Sequence, residues 1–441
     1  MTRRPRTQLR LVTTLLATAV LSACAEDKPL NTFEPRGPQA QMIDDLARPI
    51  WYIMAIVFVL VVGGGIALAI KGRVKPEDFD YDDLPRQVHG NEKLEIGWTI
   101  APAVLLAIVC IPTVASIWKL EARNDAGELD VMVIGRQWWW EYRYDIDGDG
   151  FFEDADGDGE IWGVDGGGVD GQGDDGDRDD REWPLNLALD DDDLSVANEL
   201  VIPTGVQVDL VITSGDVIHS FWIPRLNGKR DAVPGRLHTW NLEADEPGKY
   251  NGWCTEFCGL SHARMRMSTI ALAPSDFETW LANQIEPAAL PEAAAEDEEA
   301  SPEAAGRVLF EQNCVSCHVV RTDGSDEIYG DDFTPPQLKS GAAPDLTHFA
   351  TRSVFAGAIY SPYITDGAGN PVDADDDALD VATYLSLSEN GRFNVAQLKR
   401  WISNAPGQKD MAPEDLRGMP AFPALNDEDL DNLVAYLATL D

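Results

Sequence analysis

Two long stretches without a charged residue constrain this 441-residue chain more than any other feature. Residues 50–70 and 100–118 contain no Asp, Glu, Lys or Arg, and about twenty apolar residues suffice for a helix to cross a bilayer. Pro102 and Pro112 in the second stretch do not exclude a helix, because neighbouring helices can satisfy the backbone groups that a proline frees. The sequence therefore predicts a transmembrane helical hairpin over residues 49–122.

Basic residues after the first stretch indicate the orientation of the hairpin. Lys71, Arg73 and Lys75 follow it directly, and short loops rich in Lys and Arg face the cytoplasm. The second helix would then return the chain to the outside. We therefore expect everything after residue 122 to lie outside the cytoplasm.

The first residues are typical of a secretory signal peptide. Four arginines within the first ten residues precede a short apolar core that ends in small residues. The run Leu21-Ser22-Ala23-Cys24 resembles a bacterial lipobox, which implies a lipid on Cys24. A plain signal peptide with an incidental cysteine is the alternative. We expect a signal peptide over residues 1–23 and an extracytoplasmic tether over residues 24–48.

Length and charge limit the domains and the partners. A chain of this length is expected to form two or three domains. Its net charge of −42 argues against binding to nucleic acid and against charge-driven binding to an anionic membrane surface. A basic partner protein would be attracted.

Short strands are predicted outside the membrane. Residues 130–144, 199–203 and 206–212 are rich in β-branched and aromatic side chains. Turn residues between such strands favour a β-sandwich. Residues 138–140 are three successive tryptophans, and because side chains alternate along a strand, at least one of them must lie at a surface or an interface.

A dozen residues concentrate possible metal ligands. Cys254, Cys258, His262 and Met265 lie close together in sequence, and His219 precedes them. The two cysteines and two histidines would suit structural zinc. Methionine is not among the usual ligands of zinc, however. Thioether, thiolate and imidazole together form the soft set of ligands that copper selects. A disulfide between the two cysteines is a further alternative.

The wider pattern resembles a known family. Cys-x-Glu-x-Cys-Gly-x-x-His-x-x-Met, with an upstream His-Ser-Phe-Trp and an intervening Pro-Gly-Arg at 234–236, resembles the dinuclear copper A loop of cytochrome c oxidase subunit II. The likeness runs from about residue 40 to 280 and implies a cupredoxin-like copper A domain over residues 123–284. It implies these ligands: bridging thiolates of Cys254 and Cys258, one imidazole each from His219 and His262, and weak axial ligands from Met265 and the Glu256 carbonyl. It also implies magnesium or manganese at the Glu256 carboxylate.

The same resemblance gives two further residues a role. Trp138 begins a segment similar to the family's Gln-Trp-Tyr-Trp, although Trp139 stands where tyrosine is usual. The resemblance implies that electrons enter at Trp138. It also implies that Glu95, before the second apolar stretch, lies at the mouth of a proton channel into the catalytic subunit. Ordinary strand packing and a carboxylate without a role are the alternatives.

Residues 145–193 form an acidic insertion that the family does not explain. Residues 145–150 and 154–159 both follow the pattern Asp-x-Asp-x-Asp-Gly, which is the opening half of a calcium loop. A solvated loop without a metal is the alternative, since the insertion is very polar.

A third module follows a linker. Residues 285–302 are rich in Ala, Glu and Pro and are expected to be extended. Cys314-Val315-Ser316-Cys317-His318 is the attachment signature of c-type haem. Together with Gly418-Met419-Pro420 before an amphipathic segment at 427–440, it makes residues 303–441 resemble class I cytochrome c. The resemblance implies thioether bonds from both cysteines, His318 as the proximal ligand, and Met419 rather than Met411 as the sixth ligand.

The expected fold is therefore a multidomain membrane protein with two transmembrane helices, a cupredoxin-like β-sandwich and an all-α cytochrome c domain. It resembles subunit II of a caa-type oxidase in a bacterial cell membrane. That resemblance implies transfer of electrons from haem c through copper A to catalytic subunit I, which reduces oxygen to water. It also implies contact with other oxidase subunits and with a basic or complex-bound donor. A subunit of a copper-A nitric oxide reductase and a copper-carrying lipoprotein are the alternatives. His89, His238 and His348 are interpreted as structural.

Overall fold

The computed structural model describes most of the chain. The described residues are 30–73, 90–120, 129–145, 194–289, 291, 300–321, 343–365, 381–415 and 417–441. Three predictions fall outside them: the signal peptide, the lipid on Cys24, and the calcium loops of the insertion, of which only Asp145 is described. His89 also lies outside the described residues.

Residues 39–122 form one compact unit, which contains two long helices. They are α1 (Pro38–Lys71) and α2 (Glu92–Leu120). Both are long and apolar enough to cross a membrane, and their apolar side chains are largely exposed within the unit, as lipid-facing side chains would be. The helices contain the two apolar stretches, although α1 begins before residue 49, where the hairpin was expected to start. Pro49 lies inside α1, and Pro102 and Pro112 lie inside α2.

The described residues after residue 122 belong to a second unit, together with the described residues up to Pro38. Its first part is a β-sandwich, and the strands that the structure describes there are β1 (Asp130–Arg136), β2 (Trp139–Asp145), β3 (Leu194–Ala197), β4 (Glu199–Pro203), β5 (Val208–Ser214), β6 (His219–Trp222), β7 (Lys229–Ala232), β8 (His238–Leu242), β9 (Gly248–Trp253) and β10 (Arg266–Leu272). One sheet has the order β3-β2-β1-β5-β8, a second has the order β4-β10-β9, and β6 pairs with β7. The predicted β-sandwich is therefore present.

The segment 130–144, expected as one strand, is a hairpin instead. β1 and β2 pair antiparallel, and Arg136 lies opposite Trp139, so Gln137 and Trp138 form the turn between them. We name these two residues the tryptophan turn. The turn places Trp138 beyond the strands, where its carbonyl oxygen contacts the C-terminal part of the unit. The expectation that one of the three tryptophans lies at an interface agrees with this position.

Buried polar groups tie the sandwich together. The Tyr144 hydroxyl donates to the Val201 carbonyl and accepts from the Val201 amide, at 2.9 Å and 2.8 Å, which joins β2 to β4 in the other sheet. In the hairpin, Glu141 accepts from Arg136 Nε at 2.5 Å and from Arg143 Nε at 2.6 Å. Because all three side chains are buried, this triad fixes the hairpin that carries the tryptophan turn.

Helix α3 (Pro274–Ile285) follows β10 and leads to a mainly helical C-terminal module. The described helices of the module are α4 (Pro302–Asn313), α5 (Val381–Leu385), α6 (Leu387–Asn390), α7 (Val395–Ser403), α8 (Ala405–Gln408) and α9 (Asp427–Leu437). A short sheet of β11 (Tyr363–Thr365) and β12 (Arg392–Phe393) adds to the expected all-α architecture.

The core of the module forms where α4 meets α9. The Phe310 and Tyr436 rings lie 5.3 Å apart between these helices. Leu430, Val434 and Leu437 of α9 are all buried, as their spacing predicts. An Asn426 cap starts α9: its side chain accepts from the helix amides. The module therefore has a hydrophobic core of its own.

Candidate metal centre

The possible ligands are brought together by two pairs of strands. The cysteine loop (residues 254–265) connects β9 to β10, which pair antiparallel. The Cys254 amide donates to the Met265 carbonyl at 3.0 Å and so closes the loop at its base. The Thr255 amide donates to the Ser220 carbonyl at 3.1 Å, which holds the loop against β6. Because His219 begins β6, this bond also brings the distant histidine to the loop.

The donor atoms form two similar halves. Cys254 Sγ and Cys258 Sγ lie 3.8 Å apart, much farther than the roughly 2.05 Å of a disulfide, and both cysteines are free. Cys254 Sγ lies 3.9 Å from His219 Nδ1 and 3.2 Å from the Glu256 carbonyl oxygen. In the second half, Cys258 Sγ lies 3.6 Å from His262 Nδ1 and 3.7 Å from Met265 Sδ. Each sulfur thus has one imidazole nitrogen and one weaker donor.

Asp216 orients the first imidazole. Its Oδ1 lies 2.7 Å from His219 Nε2, and its Oδ2 accepts from the Gln137 amide at 2.6 Å. A carboxylate on Nε2 favours the tautomer in which Nδ1 is available to a metal. The ring is also confined on its other side, because a Cβ at Gly135 would lie 2.7 Å from His219 Cδ2.

The electrostatics favour the loss of one proton from the pair of thiols. Hydrogen bonding from Cys258 and then from His219 lowers the pKa of the Cys254 thiol to about 4, against the opposing effect of burial. The same sulfur–sulfur contact raises the pKa of Cys258, so the pair titrates as a unit that gives up its first proton easily. Burial disfavours charge on His219, but the neighbouring Asp216 and Cys254 outweigh burial and raise its pKa. A soft cation would replace both thiol protons.

The tryptophan turn supports the cysteine loop directly. Trp138 Nε1 donates to the Cys258 carbonyl at 2.9 Å, and Gln137 Nε2 donates to the same oxygen at 2.7 Å. The turn therefore fixes the backbone at one of the two thiols. Trp138 is only 3% exposed.

The second half of the centre is nearer to solvent. His262 is half-buried in a short 3-10 helix, whereas His219 is fully buried. The exposed Phe257 ring packs edge-on against the His262 ring, with 5.6 Å between their centroids. Leu260 is also exposed. The Glu256 side chain is exposed.

The three residues of the haem signature lie at the end of α4. The Cys317 and His318 amides donate to the Cys314 carbonyl at 3.0 Å and 2.9 Å, which forms a tight turn. His318 Nδ1 lies 2.8 Å from the Pro344 carbonyl oxygen. This contact fixes the orientation of the ring through Nδ1. Burial raises the pKa of the Cys314 thiol to about 12, so the thiol stays protonated at neutral pH.

The two candidate methionines differ in their surroundings. Met419 packs against the module's hydrophobic core, which Cys314 and Leu346 also border. Met411 lies against Gly418, where a Cβ would be 2.5 Å from its Sδ. The histidines interpreted as structural have backbone partners: His238 Nδ1 lies 2.7 Å from the Asp231 carbonyl, and His348 Nε2 lies 2.8 Å from the Glu286 carbonyl. In the membrane unit, Glu95 lies in the first turn of α2 and accepts from the Asn91 amide at 3.2 Å.

Sequence reasoning missed Asp216 and Gln137. Asp216 precedes His219 by three residues, and this spacing could have suggested a carboxylate partner for the imidazole. Gln137 carries no comparable signal, because its role depends on a contact with a residue 121 positions away.

Comparisons with known proteins agree with this geometry. The family profile "Cytochrome C oxidase subunit II, periplasmic domain" matches residues 186–272, and "Cytochrome C oxidase subunit II, transmembrane domain" matches residues 29–115. A protein of Alkalihalophilus pseudofirmus, "Cytochrome c oxidase subunit 2", is 30% identical over 447 residues, covering 99% of this chain and 98% of the relative. The chain belongs to the cytochrome c oxidase subunit II family. "Cytochrome c oxidase subunit 2" of Zea mays is 28% identical over 277 residues, which is 63% of this chain and 97% of the relative.

A solved structure of the same family is also similar. The periplasmic domain of subunit II of the cytochrome oxidase of Bradyrhizobium japonicum is 25% identical, with a TM-score of 0.24 over 37% of this chain and 96% of that one. A score this low carries no argument about the fold.

Family membership confirms the broad prediction of function. As subunit II, the chain is part of a cytochrome c oxidase complex, in which it is the electron-transfer subunit and partners subunit I. Two helices that could cross a membrane and the match to the family's periplasmic domain make it a membrane protein with an extracellular domain, and its cluster of His219, Cys254 and Cys258 suits a copper A-type site. Membership of this family favours the oxidase over the two alternatives.

Proposed function

We propose that this subunit II passes electrons one at a time from a covalently bound haem c through a dinuclear copper A centre to subunit I. The observation that carries the proposal is the pairing of donors: two sulfurs 3.8 Å apart, each with its own imidazole nitrogen. Shared thiolates, when copper is bound, let one electron spread over both metals with little rearrangement.

The arrangement favours two metals over a single zinc ion. Among the described residues, His219, Cys254 and Cys258 have ligand atoms within 4.8 Å of one another, and His262 is not part of that group. A tetrahedral zinc site would need all four donors around one point. We assign His219 and His262 to different coppers, with Met265 and the Glu256 carbonyl as weak axial donors. The soft donor set supports copper.

The C-terminal module supplies the second redox group in this proposal. We assign residues 303–441 to a class I cytochrome c domain, with thioether bonds from Cys314 and Cys317. The turn after α4 and the contact of His318 Nδ1 with Pro344 support His318 as the proximal ligand. The position of Met419 beside the same core supports it as the sixth ligand, and a methionine ligand would raise the haem potential.

Several finer assignments complete the proposal. We infer that Trp138 lies on the path by which electrons reach the copper centre, which its hydrogen bond to the Cys258 carbonyl supports. The exposed apolar Phe257 and Leu260 beside His262 support contact of this half of the centre with subunit I. Glu95 is proposed at the mouth of a proton channel, and the exposed Glu256 carboxylate as a ligand of magnesium or manganese.

The remaining assignments concern the location of the protein in the cell and its electron donor. We propose a bacterial cell membrane location, with the N-terminus and both redox domains outside the cytoplasm. The net charge of −42 supports a basic electron donor. The domain boundaries stay as predicted from the sequence.

Metal and haem analysis of three forms of the purified complex tests the proposal. The wild-type subunit should contain two coppers and one haem that survives acid–acetone extraction. Cys258→Ser should lose copper and keep the haem, because the two sites use different residues. Cys317→Ala should lose one thioether bond to the haem and keep copper. One zinc per chain, or a fully extractable haem, would contradict the assignment.

A further inference from the structure

A buried lysine joins the C-terminal module to the tryptophan turn. Lys409 follows α8 and is only 2% exposed. Its Nζ donates to the Trp138 carbonyl at 2.6 Å and to the Ala356 carbonyl at 3.0 Å. An ammonium group is stable away from water only when hydrogen bonds compensate it. Because Trp138 Nε1 in turn donates to the Cys258 carbonyl, one residue separates this lysine from the candidate metal centre.

The cysteine loop holds the chain on both sides of Lys409. Arg264 Nη1 donates to the Gln408 carbonyl at 2.5 Å, and Ser261 Oγ donates to the Asp410 carbonyl at 2.5 Å. Both donors lie within the loop that carries the candidate ligands. The contact is therefore made with the loop itself and not with a remote part of the sandwich.

A glycine permits the close approach. The Arg266 amide donates to the Gly357 carbonyl at 3.1 Å. A Cβ at Gly357 would lie 2.6 Å from the Trp138 carbonyl oxygen and 2.3 Å from Lys409 Nζ. Gly357 also has φ +77°, which favours glycine. Any side chain at residue 357 would push the C-terminal module away from the tryptophan turn.

A second buried contact lies at the other sheet of the sandwich. Glu199 of β4 is 2% exposed and accepts from the Ser353 amide at 2.9 Å and from the Ser353 hydroxyl. Burial raises the pKa of Glu199, while Ser353, Lys249 and Arg352 oppose that rise. The module is thus held at two separate points by buried polar groups.

We propose that Lys409 is a positioning residue that latches the C-terminal module onto the tryptophan turn and the cysteine loop. The module then delivers electrons from one fixed docking position. It covers the tryptophan turn and the cysteine loop, so external donors must reduce the module first. The inference rests on the proposed function only in taking the module to carry the haem.

Hydrogen–deuterium exchange on the full-length chain in the purified complex tests the latch. Lys409→Met leaves two carbonyls buried without a donor in the docked state, so exchange at residues 136–140 and 259–266 should rise roughly tenfold or more. Exchange in α9 should not change. Lys399→Met is the matched control, because Lys399 pairs with Asp427 and Asp431 within the module. It should leave residues 136–140 as in the wild type.

Rapid-mixing reduction separates positioning from general damage. In Lys409→Met, an external donor should reduce the haem at the wild-type rate, while reduction of the copper centre should slow in proportion to the docked fraction that the variant loses. A merely destabilised module would instead change the haem reduction and the exchange of α9.

A second variant opens the same contact without removing the lysine. Gly357→Ala should raise exchange at residues 136–140, because its Cβ would enter the contact between Lys409 and Trp138. Gly205→Ala is the control, since Gly205 has a similar φ of +70° but no atom within 4 Å of its Cβ position. Unchanged exchange in both Lys409→Met and Gly357→Ala would overturn the latch. Absence of haem would overturn the proposed function, and the exchange comparison would still decide the latch.

Discussion

Replacing Asp216 with asparagine should weaken copper binding about tenfold while leaving the fold intact. The carboxylate lies 2.7 Å from His219 Nε2 and accepts from the Gln137 amide through its other oxygen. Asparagine keeps the shape and one acceptor oxygen, which can face the His219 ring, but it removes the charge and turns its NH2 group towards the Gln137 amide. The imidazole then retains its orientation and loses the anionic partner that strengthens it as a ligand.

The magnitude follows from the hydrogen bonds that change. A bond to an ionised acceptor contributes about 1.5–3 kcal/mol, and a neutral acceptor about half of that. The difference of about 1–1.5 kcal/mol corresponds to roughly tenfold in affinity. Asp216→Ala should have a larger effect, because it removes the partner of the His219 ring as well as the acceptor of the buried Gln137 amide, and a buried group left without a partner costs about 1–3 kcal/mol.

The assay is a chelator competition for copper on the full-length chain in detergent, with denaturant unfolding measured in parallel. Asp231→Asn is the matched control: this exposed residue of β7 loses the same charge, and only its backbone carbonyl contacts His238 among the bonds described. The control should bind copper as the wild type does. Affinity of Asp216→Asn within twofold of the control would refute the role of the carboxylate.

Three further predictions concern other parts of the chain. Burial disfavours charge on Glu141, but its two guanidinium partners lower its pKa from 4.5 to about 2. Its stabilisation of about 3 kcal/mol should therefore be complete above pH 4.5 and disappear as the pH falls towards 2. Denaturant unfolding should find the gap between wild type and Glu141→Gln shrinking over that range, and a constant gap would contradict the pKa. Gly135→Ala should abolish the copper spectrum, because the new Cβ would lie 2.7 Å from His219 Cδ2; an unchanged spectrum would show that the ring can move. Met419→Ala should remove the sulfur–iron charge-transfer band of the haem, and loss of the band only in Met411→Ala would reverse the assignment.

The sequence was most informative where the chemistry lies in one short segment. Cys254, Cys258, His262 and Met265 fall within a dozen residues, so their spacing alone brings their side chains together around a loop. The apolar stretches were equally clear, because a bilayer requires a minimum length of helix. His219 was a candidate by residue type, but its separation from the loop in sequence gave no sign that β6 lies beside the loop.

Contacts between distant segments could not be predicted in this way. Lys409 and Trp138 are 271 positions apart, and nothing around either residue indicates the partner. Glu199 and Ser353 are 154 positions apart. The tryptophan turn was also missed, because β-branched and aromatic residues indicate strands on both sides of it without marking where the chain reverses.

Electron paramagnetic resonance of the oxidised full-length chain tests the central claim most directly. The claim is that Cys254 and Cys258, with one imidazole each, hold two coppers that share one unpaired electron. Such a centre should show hyperfine splitting from two equivalent copper nuclei. A splitting pattern from a single copper would contradict the claim. So would a chain that gives no resonance signal and contains one zinc after aerobic copper loading.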